Sequence, residues 1–261
     1  MPGKQILVVD DEAAVTLALE GFFRDRGYRV RRAFYADQAL AQIEEERPAL
    51  VILDLNMPGV DGISVLKKIR ESYPEVKTLV VTAFPSRYQE KLELLKPQSV
   101  KIKPISLEDL THTVETLLGE TRTGHSFSPE ASPGGIRPLF IEGKQELYLQ
   151  HLKTHFEAPG RRPPCEITLA RGPEEALELL KSFKPHFVLL DNTRLPIGVD
   201  GGKFASDLNH ASHPPLEVIL YTMPWSEFQG ATAPEAQLQQ LEEAIRQAAK
   251  RHHLLPETHG G

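Results

Sequence analysis

The stretch Ala49–Gly62, ALVILDLNMPGVDG, constrains this chain more than any other. Four apolar residues, Leu50 to Leu53, end in Asp54, and the chain then breaks at Met57-Pro58-Gly59 and Asp61-Gly62. An apolar run without alternation, bounded by turn formers, predicts an interior strand of a parallel sheet covered on both faces. Asp54 then stands at the carboxyl end of that strand, the edge at which open α/β sheets bind ligands. Taken alone, a carboxylate there reads equally well as a solvated loop acid or a helix cap.

Three other positions decide between these readings. Ile6-Leu7-Val8-Val9 runs into Asp10-Asp11-Glu12 with a helical pattern behind it, Leu79-Val80-Val81 ends in Thr82-Ala83, and Ile102 precedes Lys103-Pro104. Right-handed crossovers between parallel strands bring such ends to one edge of the sheet. Asp10, Asp11 and Asp54 would then crowd one pocket, where unpaired carboxylates raise one another's pKa. A hard divalent cation relieves that conflict, and Mg2+ accepts a few carboxylates while keeping waters. The set suits phosphoryl transfer to a carboxylate: Asp54 attacks phosphorus, Lys103 pairs with one phosphoryl oxygen and Thr82 donates to another.

On these residues, the Asp10-Asp11 pair, Asp54 with Met57-Pro58 and Asp61-Gly62, Thr82-Ala83 and Lys103-Pro104, the segment 4–119 resembles a receiver domain of two-component response regulators. The resemblance implies a flavodoxin-like, doubly wound parallel sheet of order 2-1-3-4-5 and phosphorylation of Asp54 by a sensor histidine kinase. It also implies Mg2+ held by Asp10, Asp11, Asp54 and the backbone carbonyl of Asn56, and a cis Lys103-Pro104 bond. Three positions depart from the family or bear on its mechanism. Val100 stands where the family has an aromatic switch residue, so output is expected through the loop after Thr82. By resemblance, Phe84 and Asn56 flank the water that attacks the acyl phosphate, and the bulky Phe84 is expected to hinder it.

Length and composition bound the rest. A chain of 261 residues is long for one domain and comfortable for two. Hydrophobic content of 40% with 25% charged residues suffices for a buried core. The net charge of −6 argues against non-specific nucleic-acid binding, and no direct nucleic-acid contact is expected. Cys165 is the single cysteine, which excludes an intrachain disulfide and fits a reduced, cytoplasmic setting. No apolar run approaches a membrane span.

Local patterns predict helices over Ala13–Arg26 (stopped by Gly27), Asp37–Arg47, Ile63–Ile69 and Leu107–Leu118, with a weaker one around Leu92 and Leu95. Tyr28–Ala33, with its alternating arginines, predicts an edge strand. The stretch 120–137, rich in small residues, proline and glycine, reads as a flexible linker between a receiver at 1–119 and a second domain at 138–261.

The second domain repeats the first imperfectly. Leu139-Phe140-Ile141-Glu142 echoes the first strand and Phe187 to Asp191 the third, with Leu195-Pro196 and Asp200-Gly201 behind it; Val218 to Thr222 echoes the fourth. Glu142 and Gly143 stand in place of the acid pair, and no apolar strand ending in Lys-Pro follows Thr222, so a missing fifth strand is expected, its edge covered by the closing helix or a partner. A degenerate pseudo-receiver is expected, with Asp191 a structural acid. Leu238, Leu241, Ile245 and Ala248 on a closing helix over 234–252 read as core packing, with a dimer or partner face as the alternative. Lys250, Arg251, His252 and His253 read as cations favoured by its carboxyl end, and His151 as an exposed helix residue.

The expected function is therefore a response regulator that signals through phosphorylation-dependent contacts with a downstream protein and turns over no separate substrate. The alternatives are a scaffold that works without phosphorylation, or a phosphohydrolase with an aspartyl nucleophile. Haloacid-dehalogenase-like enzymes place that nucleophile on the first strand and the acid pair late, an order this chain reverses.

Overall fold

Parallel strands need crossover helices between them, and the computed structural model of the chain alternates strand and helix along most of its length. It describes residues 3–57, 62–120, 135–141, 152–158, 164–191, 200–212, 216–221 and 235–255. The chain divides into two compact units: Met1–Ile105 with Asp109–Gly124 and Asp200–Lys203, and Ser106–Glu108 with His125–Val199 and Phe204–Gly261.

The first unit holds a five-stranded sheet in the order β2-β1-β3-β4-β5. Its strands are β1 (Gln5–Val9), β2 (Arg29–Ala33), β3 (Leu50–Leu53), β4 (Lys77–Thr82) and β5 (Ser99–Ile102), all parallel. The helices are α1 (Ala13–Asp25), α2 (Ala36–Glu45), α3 (Gly62–Ser72), α4 (Gln89–Leu95) and α5 (Leu107–Leu118), with a 3-10 turn at Pro85–Tyr88. This is the flavodoxin-like fold expected from the sequence.

Successive strand residues face opposite sides of a sheet. Leu7, Val9, Val51, Leu53 and Val80 share one core with Ile43 of α2 and Leu66 and Ile69 of α3. The alternate residues Ile6, Val8, Leu50 and Ile52 are equally buried, which is why these strands read as unbroken apolar runs. The edge strand β2 is protected by charge: Arg31 pairs with Glu45 at 2.6 Å and Arg32 with Glu20 at 2.7 Å, while Arg29 pairs with Glu46. Such an edge resists pairing with another chain.

Helix α1 ends as its sequence dictates. Gly27 adopts φ +86°, its N–H donates to Arg24 O at 2.8 Å, and the N–H of Tyr28 donates to Phe23 O at 3.1 Å. This is a Schellman ending, and its usual apolar contact is supplied by the edge-on rings of Phe23 and Tyr28. At α5 the last carbonyls are met by lysines from the sheet: Lys4 Nζ donates to Leu118 O at 2.5 Å, and Lys77 Nζ donates to Leu117 O.

The second unit carries a sheet of order β6-β10-β9-β7-β8. Its strands are β6 (Ile105–Ser106), β7 (Pro138–Ile141), β8 (Thr168–Ala170), β9 (Phe187–Asp191) and β10 (Glu217–Tyr221). Strands β7 to β10 are parallel. Among the described residues no strand follows β10, and the fifth position is held by the two-residue β6. The helices are α6 (covering 152–156), α7 (Pro173–Leu179), α8 (Gly201–Ala211) and α9 (Glu235–Arg251). Leu238, Leu241, Ile245 and Ala248 of α9 join Phe140, Phe156, Phe187 and Ile219 in one core, so the stripe on this helix packs inward. Among the described residues no helix is long and apolar enough to cross a membrane.

One sequence expectation needs correction. Arg251 and His252 do not merely face the carboxyl end of α9. Arg251 Nε donates to Glu217 Oε1 at 2.9 Å and His252 Nε2 to Glu217 Oε2 at 3.0 Å. Glu217 is the first residue of β10 and is only 1% exposed. Burial alone would raise its carboxyl, but the hydrogen bonds from His252 and Arg251 outweigh it and hold it below the usual glutamate range.

Replacing Glu217 by alanine removes the partner of the buried His252 ring and of the half-exposed Arg251 guanidinium. We expect a loss of about 2 kcal/mol in urea unfolding, less than a fully buried pair would give. A lowered carboxyl contributes stability above the unfolded glutamate pKa and loses it as pH falls through the folded value. The difference between wild type and Glu217→Ala should therefore shrink on acidification below that range; a constant difference contradicts the pairing.

Candidate functional site

The residues that end the central strands are tied to the ladder one step beyond it. The N–H of Asp54 donates to Val9 O at 2.9 Å, that of Asp10 to Ala33 O at 3.1 Å, and that of Lys103 to Thr82 O at 3.0 Å. Each side chain therefore leaves the carboxyl edge of the sheet from a backbone held by its neighbouring strand. Thr82 is the last residue of β4, fully buried, and its Oγ1 accepts from the N–H of Phe84 at 3.4 Å.

These ends converge. One carboxylate oxygen from each of Asp10, Asp11 and Asp54 lies within 4.8 Å of the others, the only such acidic group among the described residues. Asp10 and Asp54 are buried and Asp11 is exposed. Lys103 Nζ donates to Asp10 Oδ2 and to Asp54 Oδ2, both at 2.7 Å. The remaining oxygens are held by the backbone: Glu12 N–H donates to Asp10 Oδ1 and Asn56 N–H to Asp54 Oδ1, each at 3.0 Å. Asn56 itself is exposed on the rim.

Gly62, which opens α3, passes close beneath this loop. A Cβ there would sit 2.4 Å from Asp54 O and 2.8 Å from Leu55 Cα, so only glycine allows the helix to start against the site. Asp61, Pro58 and Gly59 lie outside the described residues, while Met57 packs into the core. The Lys103-Pro104 bond is cis, as the resemblance implied.

The electrostatics follow from burial and crowding. Burial raises Asp10 above the usual aspartate range, and the neighbouring Asp54 adds to it against the pull of Lys103. Asp11 is raised for the same first reason, burial, with Asp54 contributing. Burial would lower Lys103, yet Asp10 and Asp54 together outweigh it and hold the ammonium charged. Three carboxylates against one ammonium leave an excess of negative charge offered by hard oxygen donors, which fits a small divalent cation.

The second unit shows less. Asp191 ends β9 fully buried, beside Tyr221 of β10. Glu142, Gly143, Leu195, Pro196 and Thr222 lie outside the described residues, as does His151. Near the first site, Phe84 (44% exposed), Val100 (38%) and Ile102 (57%) are large apolar groups turned to solvent. Sequence reading missed one participant, Arg87, whose Nη1 donates to Asn56 Oδ1 at 3.3 Å. Nothing in the spacing of Arg87 signals this, because the contact depends on how the 3-10 turn lies over the loop.

Comparison with known proteins adds identity to this geometry. Residues 6–115 match the family model described as the response regulator receiver domain. Sporulation initiation phosphotransferase F of Bacillus subtilis (strain 168) is 32% identical over 120 residues, covering 45% of this chain and 96% of that protein. Transcriptional regulatory protein ZraR of Salmonella typhimurium (strain LT2) is 37% identical over 129 residues, 49% of this chain. The match spans only 29% of ZraR's own length. The crystal structure of response regulator TrrA from Thermotoga maritima in complex with Mg(2+)-BeF is 32% identical, with a TM-score of 0.41, covering 44% of this chain and 98% of that one. The expectation of no direct nucleic-acid contact is overturned by these relatives, since ZraR is a transcriptional regulatory protein. Net charge averages over a whole surface and does not report what one segment binds.

A divalent cation can enter only after Asp10 and Asp11 release their protons, and both hold them above the usual range. Calorimetric titration with Mg2+ should show affinity falling as pH is lowered toward the usual aspartate range, before ordinary carboxylates titrate. An affinity that stays flat on that approach contradicts the raised acids.

Proposed function

Because the chain belongs to the response regulator receiver family, we propose that Asp54 accepts a phosphoryl group from a histidine kinase and that the chain signals through contacts this modification changes. The observation that carries the reading is the bridge from Lys103 Nζ to Asp10 and Asp54, 2.7 Å to each, at the sheet edge. The same ammonium meets Asp54, buried at the end of the central strand with its other oxygen held by the Asn56 N–H, which supports Asp54 as the acceptor.

In this reading Asp10, Asp11 and Asp54, with the Asn56 backbone carbonyl, hold Mg2+, which when bound offsets charge on the phosphoryl oxygens. Asp54 attacks phosphorus as the nucleophile. Lys103 exchanges its contact with Asp54 for a phosphoryl oxygen, and the Thr82 hydroxyl donates to another. The new group brings nearly two negative charges to the rim, and the Thr82-to-Tyr88 segment is the element they bias. The chain is a phosphoacceptor that catalyses only its own gain and loss of phosphate. Residues 1–119 form the receiver and 138–261 a pseudo-receiver without a phosphoacceptor site, joined by 120–137. The support for that second assignment is the parallel β8-β7-β9-β10 order with Asp191 fully buried.

Incubation with Mg2+ and a small phosphodonor, followed by intact mass and peptide mapping, should place one phosphoryl group on wild type and on Asp191→Asn, and none on Asp54→Asn. Modification in the later half, or none with abundant donor and metal, overturns the reading.

Phe84 is exposed, two residues beyond Thr82, and its N–H donates to the Thr82 hydroxyl. Its bulk should slow the attack of water, so Phe84→Glu is expected to lose its phosphoryl group faster than wild type. An equal or longer half-life for the variant counts against this role.

A further inference from the structure

We infer that Arg87 is a positioning residue that prolongs the phosphorylated state by holding the side-chain amide of Asn56; this rests on Asp54 being the phosphoacceptor.

The 3-10 turn Pro85–Tyr88 is fastened to the Asp54 loop at two neighbouring points. The hydroxyl of buried Tyr88 donates to Leu55 O at 3.4 Å, and Arg87 Nη1 donates to Asn56 Oδ1 at 3.3 Å. The guanidinium also lies over the Tyr88 ring, 5.8 Å from its centroid. On the other side, the N–H of Asn56 donates to Asp54 Oδ1 at 3.0 Å. Asn56 is thus held between the reacting carboxylate and the turn, with its side chain outside.

Hydrolysis of an aspartyl phosphate needs a water from solvent. Its oxygen bonds to phosphorus, the bond from phosphorus to the Asp54 oxygen breaks, and that electron pair returns to the carboxylate. The water's proton leaves with the phosphate product. Asp10, Asp54 and Thr82 are buried, whereas Asn56 is exposed and its N–H is bonded to Asp54, so its amide meets solvent beside the reacting carboxylate. A water attacks best when its lone pair faces phosphorus and its hydrogens face an acceptor. The Asn56 carbonyl oxygen is such an acceptor on the rim.

Arg87 removes it. A guanidinium has only donors, so the atom it meets must be the amide oxygen, which fixes the amide's orientation by chemistry. The amide group left for the water is NH2, a donor, which engages the water's lone pair instead of its hydrogens. Arg87 therefore leaves Asp54 open to phosphoryl transfer while making the rim a poor guide for hydrolytic water. Without Arg87 the amide is free to turn its oxygen inward.

The test uses the full chain, phosphorylated with Mg2+ and a small phosphodonor, freed of donor and followed by intact mass. Arg87→Ala should lose the Asp54 phosphoryl group about fivefold faster than wild type, the size of one modest hydrogen bond. In an Asn56→Ala background the same change should have no further effect, which a merely structural role of Arg87 would not produce. Absence of phosphoryl on Asp54 in wild type overturns both this inference and the function it rests on. Phosphorylation with equal or slower decay of Arg87→Ala overturns the role of Arg87 alone. Faster decay that persists in the Asn56→Ala background overturns the route through Asn56.

Discussion

The ammonium of Lys103, buried between Asp10 and Asp54, is the interaction on which the first unit's chemistry depends. Two carboxylates this buried cannot both ionise beside each other without a cation, and a buried ammonium cannot persist without carboxylates. Each group makes the others tolerable, yet the balance is incomplete, because Asp11 adds a third acid. The site is poised to take up positive charge, and the proposed phosphoryl transfer would follow once that charge is supplied.

Such a cluster has to be positioned by parts that gain from being ordered. The ladder bonds from Asp54 to Val9 and from Lys103 to Thr82 extend the sheet one residue past its strands. The apolar runs of β1, β3 and β4, buried on both faces, anchor those bonds in the best-packed part of the unit. The glycine at the start of α3 lets that helix begin directly against the loop. Rigidity thus comes from the core, and the turn at Pro85–Tyr88 is tied to the loop through Tyr88 and Arg87.

What could be read in the sequence follows from this division. Unbroken apolar runs ending in Asp10, Asp54 and Thr82 announced parallel strands, because burial on both faces removes alternation. Gly27 announced the end of α1 for a local reason, its positive φ. Contacts between side chains distant in sequence left no such trace. Glu217 looks like an ordinary charged residue before a strand, and only the folded β10 and α9 bring it to Arg251 and His252. Arg87 is equally ordinary until its turn lies over Asn56. Net charge misled on nucleic acid because it sums over surfaces that act separately.

The two acid-ended central strands, β3 and β9, sharpen the point. Both bury their aspartates, so burial of an acid at this position belongs to the architecture and is not by itself a mark of function. Around Asp54 the described residues add Asp10 and Asp11 from the end of β1, Lys103 after β5, and Asn56 on the rim. Each arrives from a different strand or loop, and none is needed to form the sheet. A sheet of this kind can lose its chemistry by a few substitutions at its edge while keeping its core, since the residues that fold it and those that react are nearly disjoint sets.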